Sequence, residues 1–518
     1  MLNQLEEIER RVIPRWRPFA QTPNPELSLT SNNGERLQSN SIVPDAEAKW
    51  QKNPSLENAS ELVSAASLFG RTENSRKAAN ELLNSDEILP ALHRLSKHHL
   101  ANREETPFSP PTIQSLEEIR DRLKVIRNIL VEYPRNTILQ VEAARLYAIL
   151  GQVNSANHCF EKALAAKEGN RFIIRSATRF FVHGQDPERA YSLLRDIPST
   201  DPWLLAAAIS CADLVGKRDF RIRNASQLLD KFPADQVTEL AAALATIEMK
   251  DGSIKKAKRL FARSAISPND NSVAQIRWAG KGLHIAFDES LLRVQRTFEA
   301  RFQHAMHERA WRDAVEHASL WMQDEPYSVR PAAAGCYVAA EFLQDWNSCK
   351  NFALRGLQAN PNDVGLLNNL ALAEAALGNF ANAQLMLEKA RNNASDPSNS
   401  VILTSTKGFL SYRQGDTISG AKYYEEANTL AKMQKDIDLI QRSALHWMHE
   451  EMNLGNVPDQ ETWTRLLKMT SNSKQISQSA SGFFDAVLHP LWTKQSNLPT
   501  NELQIPKAFS PSLLVPPA

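Results

Sequence analysis

Glycine is scarce, with 18 in 518 residues, about half the usual share. A sheet protein with many tight turns, or an enzyme whose loops wrap a nucleotide, normally needs more of it. Cysteine is scarcer still. The four residues, Cys159, Cys211, Cys336 and Cys349, lie far apart and form no CxxC pair. Each sits inside an apolar helical pattern, so they are expected to be reduced core residues in a reducing compartment. Charge of one sign is not in excess: 60 basic and 59 acidic residues leave a net +1. No global field is available to hold nucleic acid or an anionic membrane, and any such binding must be local. The longest apolar stretches, such as Pro331–Ala340, are far short of the ~20 residues of a membrane helix. The first ten residues, Met1–Arg10, carry charge where a signal peptide has an apolar core. A soluble, cytoplasmic chain without a membrane partner is expected.

Hydrophobic residues make up 42% and charged residues 23%, so a large core can be buried and disorder is disfavoured. Proline and composition divide the chain. Residues 1–44 form a Pro/Ser/Asn-rich arm with a short helix candidate at Leu2–Val12. Residues 45–103 are an irregular helical region, and 104–114, with Pro107, Pro110 and Pro111, are a linker. Residues 115–290 and 291–470 are almost continuously helical in pattern, the first part being the more basic. Residues 471–518 begin with a helix and end in an extended tail with five prolines.

A fixed period runs through the helical part. With Thr137 as position 1, Ala144 falls at 8, Tyr147 at 11, Gly151 at 15, Ala156 at 20, Phe160 at 24 and Ala163 at 27, and Pro134 holds position 32 of the preceding unit. Val364–Pro397 repeats this with Ala371, Gly378, Ala383, Leu387 and Ala390. Val401–Gln434 does so with Gly408, Gly415, Gly420, Tyr424 and Ala427. The offsets have a physical reason: small side chains at 8 and 20 let two antiparallel helices approach, a turn falls near 15, and proline ends the second helix. Weaker units keep part of the pattern, and a kink or break is expected at Ile266–Ala286. The pattern resembles the tetratricopeptide repeat (TPR). The resemblance implies an all-α fold: an α-solenoid of about 10 to 12 antiparallel helical hairpins in a right-handed superhelix. It further implies protein–protein interaction and no enzyme activity.

In the TPR family, first-helix side chains face a concave, peptide-binding groove. On this register Arg145 falls at position 9 of its unit, and Arg171, Arg175 and Arg179 at 1, 5 and 9 of the next. The i, i+4, i+8 spacing keeps the last three on one helix face. Guanidinium groups fork onto carboxylates and phosphates, so an open groove lined this way would take an acidic or extended partner segment. The alternative is a face already paired with neighbouring acids. A second basic set comprises Lys217, Arg218, Arg221, Arg223, Lys255, Lys256, Arg259 and Arg263. It would serve a nucleic-acid or phosphorylated-ligand sensor, although nearby Phe180, Phe181 and Phe220 fit core packing better than base stacking.

Catalytic and metal signatures are missing. His446 and His449 stand three apart with Glu450 and Glu451 following, which is not the spacing of a zinc protease motif. There is no phosphate-cradling glycine loop, no nucleophile elbow and no implied cofactor or metal. An enzyme site in the degenerate ends is the least favoured reading. Trp16 stands apart: Arg15-Trp16-Arg17 lies between prolines 14 and 18, where no helical period explains it. It docks either on this chain's own solenoid or on a partner. The expected role is a non-catalytic scaffold or adaptor that holds another protein.

Overall fold

The computed structural model describes residues 10–23, 26, 39–69, 72–85, 90–100, 115–454 and 478–491, apart from 166–169, 196, 198–199, 220, 284–286, 395 and 489. Every regular element among them is a helix. The 104–114 linker, the end of the 291–470 part from position 455, Phe220 and the proline-rich tail lie outside the described residues.

Four helices, α1 (Ser39–Lys52), α2 (Leu56–Phe69), α3 (Glu73–Leu83) and α4 (Pro90–Leu100), share a core of their own around Trp50, Leu62, Val63 and Leu82. Helix α3 starts at Thr72, whose hydroxyl accepts from the Ser75 amide while the Ser75 hydroxyl accepts from the Thr72 amide. This reciprocal cap satisfies donors that a helix start leaves open.

The solenoid follows. It opens with α5 (Leu116–Glu132), and its regular pairs are α6 (Thr137–Ile149) with α7 (Val153–Ala165), α8 (Arg171–His183) with α9 (Pro187–Arg195), α10 (Pro202–Leu214) with α11 (Ile222–Lys231), and α12 (Ala234–Lys250) with α13 (Ile254–Ser264). After the lone α14 (Asp270–Leu283) come α15 (Phe298–His307) with α16 (Trp311–Asp324), α17 (Val329–Glu341) with α18 (Trp346–Ala359), α19 (Val364–Ala376) with α20 (Phe380–Asn393), and α21 (Pro397–Arg413) with α22 (Thr417–Gln434). Helices α23 (Ile437–Asn453) and α24 (Gln478–Phe483, continued by a wider turn at Phe484–Leu488) close the described chain. The architecture is an α-solenoid of TPR-like hairpins. Most of the 266–286 range expected to kink or break is one continuous helix, α14, and among the described residues the irregular turn comes after it, as a 3₁₀ turn at Glu289–Arg293.

The repeat offsets act as close-contact points. Tyr424 packs on Gly408 and Tyr412 on Gly420; a Cβ on Gly420 would stand 2.5 Å from the Tyr412 ring. Asn and Asp side chains cap the first helices, as Asn136, Asn170, Asp201 and Asp363 do for α6, α8, α10 and α19. First helices such as α10, α12 and α17 are buried almost all round, whereas second helices such as α11 and α13 keep one face outward. The first helices thus form the inner layer.

The superhelix meets itself. Gly151, at φ +70°, ends α6, and a Cβ there would lie 2.7 Å from the Gln358 carbonyl oxygen at the end of α18. Only glycine combines that left-handed backbone with so close an approach. Tyr327, between α16 and α17, belongs to the same apolar cluster as Phe160 of α7 and Phe180 of α8.

The arm differs from its sequence expectation. Arg10–Val12 are not helical; residues 1–9 lie outside the described residues. The main chain there is used otherwise: the Arg10 carbonyl accepts from the Gln275 side chain at 2.9 Å and the Ile13 carbonyl from the Asn271 side chain at 3.0 Å.

Candidate functional site: the concave groove and its occupant

Residues 10–19 run through the space enclosed by the inner helices. Trp16 is fully buried, with ring centroids 5.2 Å from Phe160, 5.9 Å from Phe180 and 5.0 Å from Tyr327. Offset and edge-on contacts of this kind add to the burial of the ring itself. Val12 enters the core formed by α10 and α12 beside Leu205 and Leu240. Phe19 meets Phe172 edge-on at 5.2 Å, and its amide donates to Glu142 Oε1 at 2.6 Å.

Three arm arginines are buried in a carboxylate cage. Arg10 forks onto Glu299 at 3.0 and 3.1 Å and donates to Gln275 and Asn271. Arg15 reaches Asp270 at 3.0 Å, Glu299 at 2.5 Å and Glu325 at 2.5 Å. Arg17 binds Asp324 at 2.6 Å and Asp270 at 2.8 Å. The acids come from the start of α14, the first turn of α15 and the end of α16. Burial opposes ionisation of Glu299, Glu325 and Asp270, yet the guanidinium groups outweigh it. Glu299 is held well below the usual carboxylate range by Arg10, Arg330 and Arg15. Glu325 is held at about 2 by Arg15 and Arg179. Asp270 is lowered by Arg17, Arg15 and Arg10, all of them arm residues.

The arginine row of α8 faces this same space. Arg171, Arg175 and Arg179 are buried, and carboxylates of the same chain meet each one. Arg171 binds Asp201 at 2.7 Å, Arg175 binds Glu239 at 2.8 Å and Glu26 at 3.2 Å, and Arg179 binds Glu325 at 3.0 Å. Arg175 also lies over the Trp203 ring, 4.8 Å from its centroid. Arg145 is buried beside them with its Nε lacking a hydrogen-bond partner, and burial lowers its guanidinium below the ordinary value. The groove at this end is therefore not an open cationic trough. An acidic segment from outside would have to displace carboxylates already in place.

Sequence reasoning found the arginines and missed the acids. Asp270, Glu299, Asp324 and Glu325 lie in the degenerate units, where the repeat gives no register. The available signal was complementarity: an Arg-Trp-Arg segment with no helical role, and acids placed at helix ends in the weak units.

The second basic set lies in the segment between α10 and α11 and on α11 and α13. Lys217 pairs with Glu188 at 2.8 Å, Arg218 with Asp251 at 2.8 Å and Lys256 with Glu248 at 2.5 Å. Arg221 is buried against Asp219 at 2.6 Å, and Arg263 donates to the Leu229 carbonyl at 3.0 Å. Arg223, Lys255 and Arg259 are exposed on α11 and α13.

Further along, α17, α19, α21 and α23 surround a cavity lined by Tyr337, Glu341, Asn368, Phe409, Arg442 and His446. Glu341 accepts from Arg442 and meets His446, each at 3.2 Å. Burial opposes its ionisation, but these two neighbours hold its carboxyl at about 2. Asn368 is buried with Oδ1 lacking a partner. The Phe483 ring of α24 lies 4.4 Å from that of His446. His449 meets Glu450 at 3.1 Å. All four cysteines are buried free thiols. Among the described residues there is no group of three or more potential metal ligands, and no helix is long and apolar enough to cross a membrane.

No family model matches the chain, and no curated protein does. Among solved structures, it is similar to the crystal structure of yeast Tom70, with 12% identity and a TM-score of 0.29 over 88% of this chain and 96% of that one. It is also similar to the Cut9–Hcn1 hetero-tetramer of the APC/C, with 11% identity and a TM-score of 0.40 over 87% of this chain and 93% of that one. At such distances these are likenesses of helical architecture and bring no partner with them.

Proposed function

We propose that this chain is a non-catalytic scaffold that holds another protein by an extended segment laid along the concave face of its helical solenoid. One observation carries the reading: the inner face already seats an extended segment, residues 10–19, through both its main chain and its side chains. A surface of stacked hairpins is long and continuous, and it suits recognition of a strand-like partner better than the water-excluded geometry that catalysis needs. The cavity around Asn368 and Arg442 extends the same face toward the C-terminal units. The test is affinity purification from the native host with two variants. Ser405→Trp fills the concave face, and Ile418→Arg alters a convex residue that is 84% exposed. A protein recovered with wild type and Ile418→Arg but lost with Ser405→Trp supports the reading. Identical recovery with all three contradicts it.

A further inference from the structure

We propose that the concave face between α8 and α16 is a recognition site for basic–aromatic segments of the form Arg-x-x-x-x-Arg-Trp-Arg, that residues 10–17 are its intramolecular occupant, and that a partner segment of that chemistry replaces them. This rests on the scaffold reading above and names the chemistry of the partner.

The site has the parts that recognition of a peptide requires. Amide side chains read the main chain: Asn271 and Gln275 donate to the carbonyls of Ile13 and Arg10, and Glu142 accepts from the Phe19 amide. Such contacts fix an extended backbone in register whatever its side chains. Sockets then select the side chains. Phe160, Phe180 and Tyr327 enclose one indole, and Glu299, Asp270, Glu325 and Asp324 take three guanidinium groups. Planar forks match carboxylates in a way that lysine does not.

Electrostatics sets the sign of the ligand. The body supplies Arg330 to Glu299, Arg179 to Glu325 and Arg296 to Asp324. Asp270 makes its ion pairs with the arm, Arg15 at 3.0 Å and Arg17 at 2.8 Å, with Arg296 of the body acting on it from further off. With the arm withdrawn, Asp270 would lose both of its ion pairs and Glu299, Glu325 and Asp324 would each lose at least one, and a buried charge without its partner is costly. The vacated groove would therefore select a cationic segment and reject an acidic one, the reverse of what the α8 arginines suggest when read alone.

The test uses the whole chain with a protease site placed within residues 27–38, so that the protein folds with its arm and is cut afterwards. The probe is a fluorescent synthetic peptide of residues 8–23. Exchange of the peptide into the cut protein is expected. Binding should fall at least tenfold when Trp16→Ala or Arg15→Glu is placed in the peptide, and should weaken steeply with salt. Failure of the probe to enter over hours would overturn the proposal, as would equal uptake of an acidic peptide of the same length. If a host protein binds with the arm covalently locked in the groove, the scaffold reading stands and this proposal falls.

Discussion

Arg15 Nη1 and Glu325 Oε1 lie 2.5 Å apart, both buried, although 310 positions separate them in the chain. That contact joins the N-terminal arm to the end of α16. Because Glu325 also receives Arg179 from α8 at 3.0 Å, it ties together parts of the solenoid that no local hairpin connects. Similar ties recur at Glu299 and Asp270.

Removing the arm's aromatic anchor should be costly. Trp16→Ala empties a fully enclosed site and is expected to destabilise the N-terminal half by about 3–5 kcal/mol. Urea unfolding followed by circular dichroism measures it, and a loss below about 1 kcal/mol would mean that the ring is not enclosed.

The ion cage should show coupling. Arg15→Met leaves Glu325, Glu299 and Asp270 short of a cation, at an expected cost of about 3–5 kcal/mol. Adding Glu325→Gln to Arg15→Met should recover part of that loss, because one uncompensated charge is removed. Strictly additive losses in a double-mutant cycle would contradict direct pairing.

Acid should dissolve the cage from one side. Glu325 has a folded-state pKa near 2 against an ordinary 4.5, and Glu299 and Asp270 are lowered as well. Groups lowered on folding contribute stability that is fully present above their unfolded values and lost as pH falls toward the folded ones. The stability difference between wild type and Glu325→Gln should therefore be constant from pH 7 to about 5 and shrink between about 4.5 and 2. Glu26 acts in the opposite direction. Burial raises its carboxyl to about 7 against the pull of Arg175, so its contribution declines as pH rises from 4.5 through 7. Titration of the urea midpoint for Glu325→Gln and for Glu26→Gln, each against wild type, reads both signs.

The repeat register has its own test. Ala144 is fully buried at the contact of α6 with α7. Ala144→Trp should cost about 1–3 kcal/mol by overpacking, whereas Val131→Trp, on an 82% exposed position of α5, should be neutral. Equal effects would place the register elsewhere.

The hairpins were legible because their constraint is local. Ala144, Ala156 and Phe160 fall at fixed offsets, since two helices one turn apart can approach only where side chains are small, and the pair α6–α7 spans that unit as expected. The common face of Arg171, Arg175 and Arg179 was legible for the same reason, through the helical period. Their partners were not, because Glu239 and Glu325 come from 64 and 146 residues away and no periodicity marks them. The Leu2–Val12 helix expectation failed at Arg10–Val12 for a related reason. Apolar spacing there is satisfied by tertiary contacts, with Val12 entering the core of α10 and α12 and the carbonyl of Arg10 bound by Gln275.

The most direct test of a solenoid wound around its own arm is a photo-cross-link. With benzoylphenylalanine replacing Phe19, whose ring lies 5.2 Å from Phe172, irradiation should yield a monomeric product in which the arm peptide is joined to the α8 peptide containing Phe172. A product joining two chains, or no adduct on α8 in the folded protein, would contradict the account.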